Sequence, residues 1–161
     1  MPEQPQESAS FISKACKADF KAPAIQESPS FINLAVTLNS EGEVLVIKRV
    51  KKEIGANGKL LEWAFPGGKQ HTNESRKECV EKEVLDETGY KVVSDREISM
   101  RVPQEFHIIL VYHLCHLAEE KPVTNPAEQW EVEEVKWVAP TELKTLFTTQ
   151  LNPAVAKELG I

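Results

Sequence analysis

Apolar and polar residues along this chain group into a small set of elements. "FINLAVTL" (Phe31–Leu38) and "EVLVIKRV" (Glu43–Val50) are rich in apolar and β-branched residues and flank the turn residues "NSEG", so together they predict a β-hairpin. "KKEIGANGKL" (Lys51–Leu60) has two glycines, an asparagine and charges without a period, and reads as a loop. "LEWAF" (Leu61–Phe65) predicts a short strand ended by Pro66, and Gly67 and Gly68 a flexible bend. A helix over Arg76–Thr88 follows: Ser75 and Glu78 have capping-box spacing, and Gly89 suits a left-handed cap. "FHIILVYHLCHL" (Phe106–Leu117) is apolar enough for a strand covered on both faces. "WEVEEVKWV" (Trp130–Val138) has a strand-like pattern with Trp130, Val132 and Glu134 on one face. "PTELKTLF" and "NPAVAKELG" predict two short helices near the end. The order β-β-β-α-β-β-α implies an α/β domain, a mixed sheet covered by helices.

Residues before Ser30 break this pattern. They hold four of the ten prolines and few large apolar residues, so 1–29 reads as an irregular N-terminal arm docking through Phe11, Ile12 and Phe20, and 30–161 as the domain. The full length of 161 residues suits one ordinary core. A formal charge of −6 argues against coating nucleic acid or anionic membrane by charge alone. Cys16, Cys79 and Cys115 form no disulfide framework and no zinc spacing, which points to reduced thiols in a cytoplasmic setting. No basic and apolar leader opens the chain, and "IILVY" is too short to span a bilayer.

The helix carries the candidate chemistry. Glu83 and Glu87 are one turn apart, and Asp86 flanks them within an arc of roughly 100°. Like charges at this spacing repel unless a cation sits among them. They border the apolar stripe of Cys79, Val80 and Val84, where a solvated face would not lie. Clustered carboxylate oxygens suit a hard divalent ion, and magnesium commonly shares its shell with substrate phosphates. Gly67 and Gly68, lacking Cβ, let a carbonyl or phosphate come close.

Glycine, five residues, Glu, seven residues, Arg-Glu, an aliphatic, any residue, Glu-Glu, any residue, Gly and an aliphatic is the box of the Nudix hydrolases, and the stretch Gly68–Tyr90 resembles it. Gly68, Glu74, Glu83, Val84, Glu87 and Gly89 match at the right spacing, behind a lead-in "WAFPGGK". Lys82 replaces the arginine, Asp86 a glutamate and Tyr90 the aliphatic. The resemblance implies an α/β/α sandwich with a mixed sheet, and magnesium-dependent (alternatively manganese-dependent) hydrolysis of a phosphoanhydride in a nucleoside diphosphate linked to another group. It assigns metal binding to Gly68, Glu83, Asp86 and Glu87, and catalytic or supporting roles to Glu83, Lys82 and Glu74. The proton acceptor stays open among the box acids and Glu105, Glu128, Glu131 and Glu133.

In "IKRVKK", Arg49 is the candidate for a diphosphate contact, with Lys69 after the glycines as another. Trp63 and Trp130 border loops and are the candidates for stacking on a base; Phe106, Tyr112 and Trp137 suit the core better. His71, His107, His113 and His116 suggest no metal site, and Cys79 and Cys115 suit packing. The expected partner is a small nucleotide: a nucleoside triphosphate, ADP-ribose or a nucleotide sugar. Family members are often dimers, so a homodimer is a second expectation. Two other classes stay open: a non-catalytic nucleotide sensor, which the loss of arginine at Lys82 favours, and an isoprenyl diphosphate isomerase, which lacks a well-placed cysteine.

Overall fold

The computed structural model describes residues 30–55, 57–103 and 107–161. The arm expected over 1–29, with Phe11, Ile12, Phe20 and Cys16, lies outside the described residues, as do Glu105 and Phe106. Among the described residues seven strands form one mixed sheet: β1 (Ser30–Leu38), β2 (Val44–Ile54), β3 (Leu60–Ala64), β4 (Gly67–Lys69), β5 (Val92–Arg101), β6 (Ile108–Leu117) and β7 (Val132–Val138). Helix α1 (Arg76–Thr88) follows β4. A 3-10 turn (Pro140–Glu142), α2 (Leu143–Leu146) and α3 (Pro153–Leu159) end the chain. The main path runs β3-β2-β1-β6-β5, with β4 paired to β1 and β7 to β2. Among the described residues only β1 and β6 pair in parallel, and the other pairs are antiparallel.

The expected hairpin closes at its tip, where Leu38 faces Val44. Asn39 Oδ1 accepts the Glu41 and Glu43 N–H groups, and Gly42 supplies a φ of 77°. Beyond the tip the two strands diverge: β1 pairs with β4 and β2 pairs with β7. This corrects the flexible bend at Gly67 and Gly68, which are extended and hydrogen-bonded to β1. The loop expected from Lys51 is also shorter, because β2 continues to Ile54 and β3 starts at Leu60. Strand β5 was not foreseen. At the other end, Trp130 precedes β7 and is 69% exposed, and Glu134 is exposed because a bulge interrupts the β2–β7 register beside Lys48 and Arg49.

Alternation along the strands builds two cores. On one face Ala35, Leu45, Val92 and Cys115 pack with Val80 and Val84 of α1. On the other, Val36, Val44, Val46, Phe65, Tyr112 and Val138 pack with Leu143 and Val155 of α2 and α3. Burying a valine completely contributes about 1.5–3 kcal/mol, so the α1 face is anchored by Val80 and Val84, both 0% exposed. The result is an α/β/α sandwich in which α1 is fixed against the sheet with its acids at the rim.

Candidate metal and diphosphate site

Helix α1 is closed at both ends as its sequence dictates. Ser75 Oγ accepts the Glu78 N–H at 3.0 Å, and Glu78 Oε1 accepts the Ser75 N–H at 2.9 Å. Gly89 takes a φ of 81° and donates to the Leu85 carbonyl. The buried face holds Cys79, Val80, Val84, Glu87 and Thr88, so a carboxylate continues an apolar stripe.

The two glycines of β4 meet that carboxylate and its neighbour one turn back. Gly67 N–H donates to Glu87 Oε1 at 2.9 Å. A Cβ on Gly67 would strike the Asn33 carbonyl oxygen, and one on Gly68 would lie 2.6 Å from Glu83 Oε1. Gly67 is therefore required by close approach to the β1 backbone, whereas a side chain at Gly68 would displace the Glu83 carboxylate.

A third acid arrives from the loop between β6 and β7. Its Val123 N–H donates to the Gly89 carbonyl at 2.8 Å, and its Glu128 N–H to the Asp86 carbonyl at 2.9 Å. These bonds satisfy carbonyls at the helix C-terminus and bring Glu128 in. Carboxylate oxygens of Glu83, Glu87 and Glu128 then lie within 4.8 Å of one another. Burial, then the Glu128 charge, pushes Glu83 up to about 7. Burial pushes Glu87 up to about 8, partly opposed by the Gly67 N–H and the Arg49 charge. Glu128 is raised by burial, then by Glu131 and Asp86. Crowded, half-dehydrated carboxylates hold protons tightly for the same reason that they favour a divalent cation. An all-oxygen donor set fits magnesium or manganese.

A family model for the NUDIX domain matches residues 32–158. The chain belongs to the Nudix family. Solved structures share its fold. One is an ADP-ribose pyrophosphatase from Streptococcus suis 89-1591, at 22% identity and TM-score 0.56, with 81% of this chain and 88% of that chain covered. A MutT protein from Methanosarcina mazei Go1 has 22% identity and TM-score 0.57, covering 84% of this chain and 93% of that one. A NUDIX hydrolase from Nitrosomonas europaea has 16% identity and TM-score 0.65, covering 84% and 72%. No curated protein matches.

Within the stretch Gly68–Tyr90, Glu83 and Glu87 meet, while Asp86 is paired with Lys82. Lys82 Nζ binds Asp86 Oδ2 at 2.9 Å, and the third carboxylate of the cluster is Glu128. A lysine one turn before an aspartate reaches it readily, whereas Glu128 could not be chosen from sequence because its approach depends on loop docking. Glu74 sits at the helix entrance, its Oε2 accepting the His71 N–H at 2.9 Å, which holds its pKa below the usual range. Arg49 is near enough to Glu87 to lower its pKa; its Nη1 is 3.9 Å from Glu53, while its buried Nε has no hydrogen-bond partner among the described residues. Lys69 is exposed at the end of β4.

Trp63 is on the opposite sheet face from α1. It pairs with Lys48, packs on the core under α2 and α3, and has Lys48 and Lys136 Nζ 5.9 and 5.6 Å from its ring centre. Strand alternation places it there, so it does not adjoin the acids. Trp130 stands exposed two residues past Glu128, on the same loop. Of the other candidate bases, Glu133 binds Lys48 and Lys52 at 3.4 Å, and Glu131 acts on Glu128 through its charge.

Proposed function

We propose that this Nudix pyrophosphohydrolase uses a divalent cation, magnesium or alternatively manganese, gripped by Glu83 and Glu87, to cut a phosphoanhydride in a small nucleoside diphosphate-linked substrate. The convergence of Glu83, Glu87 and Glu128 within 4.8 Å carries the proposal. The substrate classes are a nucleoside triphosphate, ADP-ribose or a nucleotide sugar; the Streptococcus suis neighbour, an ADP-ribose pyrophosphatase, supports the second. The bound ion would neutralise diphosphate charge and acidify water.

The chain supplies the rest. Gly68 offers its carbonyl, which also accepts from Cys79 Sγ at 3.7 Å. Glu128, on a loop and with a raised pKa, accepts the proton of the attacking water. Lys82 restrains Asp86 and lends positive charge to Glu83. Glu74 adds negative charge at the helix entrance. Arg49, with its unpartnered Nε, binds a diphosphate oxygen, and Lys69 and Trp130 extend the contact surface outward. No helix among the described residues is long and apolar enough to cross a membrane. A cytoplasmic enzyme, acting alone or as a homodimer, is proposed with it.

The test incubates the protein with these nucleotides and magnesium and measures released phosphate and nucleoside monophosphate, beside Glu83→Gln. Metal-dependent turnover that falls by about a thousandfold in Glu83→Gln is expected. Nucleotide binding without turnover at any magnesium concentration would overturn the enzymatic role.

A further inference from the structure

A buried polar chain runs through the sheet without a part in the hydrolysis proposed above. His113 on β6 is 1% exposed and Asn33 on β1 is 0% exposed. His113 Nε2 lies 2.9 Å from Asn33 Oδ1, and its Nδ1 lies 2.9 Å from Ser94 Oγ on β5. Asn33 Nδ2 donates to Gln70 Oε1 at 3.1 Å, and Gln70 Nε2 donates to the Glu74 backbone carbonyl at 3.0 Å.

The last bond dictates all the others. A backbone carbonyl only accepts, so Gln70 turns its amino group to Glu74 and its oxygen to Asn33. Asn33 must then give its amino group to Gln70 and its oxygen to His113. The imidazole consequently carries its proton on Nε2, and the Ser94 hydroxyl donates to Nδ1. Burial lowers the His113 pKa, which keeps the ring neutral as this arrangement requires. Four bonds point one way, from β5 across β6 and β1 into the loop before α1. Like-directed bonds in a low-dielectric interior polarise and strengthen one another.

The chain leads to the segment that contacts the acids. Asn33 faces Gly68 across the β1–β4 ladder, and its carbonyl fills the space a Gly67 side chain would need. Gln70 is half-buried and also donates its own N–H to the Phe31 carbonyl. A network serving the core alone would have no need to leave it through Gln70 for a loop carbonyl.

We propose that Asn33 and Gln70, aligned by the Nε2-protonated His113, are positioning residues that hold Gly67–Glu74 against α1 and so set the geometry in which Glu83 and Glu87 grip a divalent cation. This rests on the metal role proposed above. Gln70→Met keeps the length of the side chain and breaks both of its bonds, leaving the buried Asn33 Nδ2 without its acceptor. Manganese titration of the full chain by electron paramagnetic resonance should show affinity about tenfold weaker in Gln70→Met, within the range typical for groups that orient metal ligands. The metal-free melting midpoint should fall by only about 2–6 °C, the cost of one unpartnered buried amide donor. Nitrogen NMR of the native ring should show the proton of His113 on Nε2.

Native affinity in Gln70→Met, a loss of affinity accompanied by a midpoint lowered by more than about 10 °C, or an Nδ1-protonated ring would each overturn the positioning role. A native chain that binds no manganese would overturn the metal role itself, and the positioning role with it.

Discussion

Glu87 shares its helix face with Val80 and Val84 and is 6% exposed, so its charge is held largely out of water. With a pKa near 8, and Glu83 near 7, the folded metal-free protein binds more protons than the unfolded chain, whose carboxyls titrate near 4.5. The unfolding free energy therefore falls as pH rises through that window. Urea melts of metal-free protein from about pH 5 to about pH 8 should show stability declining, with a flatter profile in magnesium. At pH 8, Glu87→Gln should raise metal-free stability by on the order of 1–3 kcal/mol while abolishing manganese binding, because it removes a buried charge and retains an acceptor for Gly67. Gly68→Ala should fold yet lose manganese affinity, since its methyl displaces the Glu83 carboxylate. Gly67→Ala meets backbone instead and should cost about 2–4 kcal/mol in urea melts. The partnership of Glu83 and Glu87 was legible in their helical spacing. Asn33 left a weaker trace, a lone amide in the apolar run "FINLAVTL", with nothing local to identify its partners.

Helix α1 was legible to the residue because its signals are local: a capping box, an apolar stripe and a closing glycine. Strand β5 was not, because register shifts at Ser94/Arg96 and Glu97/Ser99 break the alternation that marks a strand, and "SDREIS" is polar. The strand at Gly67–Lys69 was hidden for another reason, since glycines there signal bending while their pairing with β1 is set by tertiary contact. The approach of Glu128 likewise depends on two bonds, to the Asp86 carbonyl of α1 and to that of its cap Gly89. Gly89→Ala tests that docking, because its methyl would strain a φ of 81° and strike the Thr124 carbonyl. Thermal melts should show a loss of about 1–2 kcal/mol, and hydrogen exchange should show the Val123 amide exposed. Glu128→Gln should lower kcat by about 10²–10⁴-fold while manganese affinity changes far less, as expected for a proton acceptor.

At the scale of the molecule, the sandwich fixes α1 through one core and leaves α2 and α3 to close the other. The mixed order and the covered β6 followed from composition and apolar run length, whereas the face occupied by Trp63 depended on strand register. Because Glu83 and Glu87 come together only in the folded chain, a bound ion must stabilise the whole domain, by about 2.7 kcal/mol at a hundred times its dissociation constant. The most direct measurement is a manganese titration of the metal-free chain, followed by electron paramagnetic resonance, with Glu83→Gln and Glu87→Gln alongside. Saturable binding in the native protein, weakened at least about tenfold by either substitution, is the expected result. Absence of saturable binding, or equal affinity in all three proteins, would contradict the convergence of these acids on a metal.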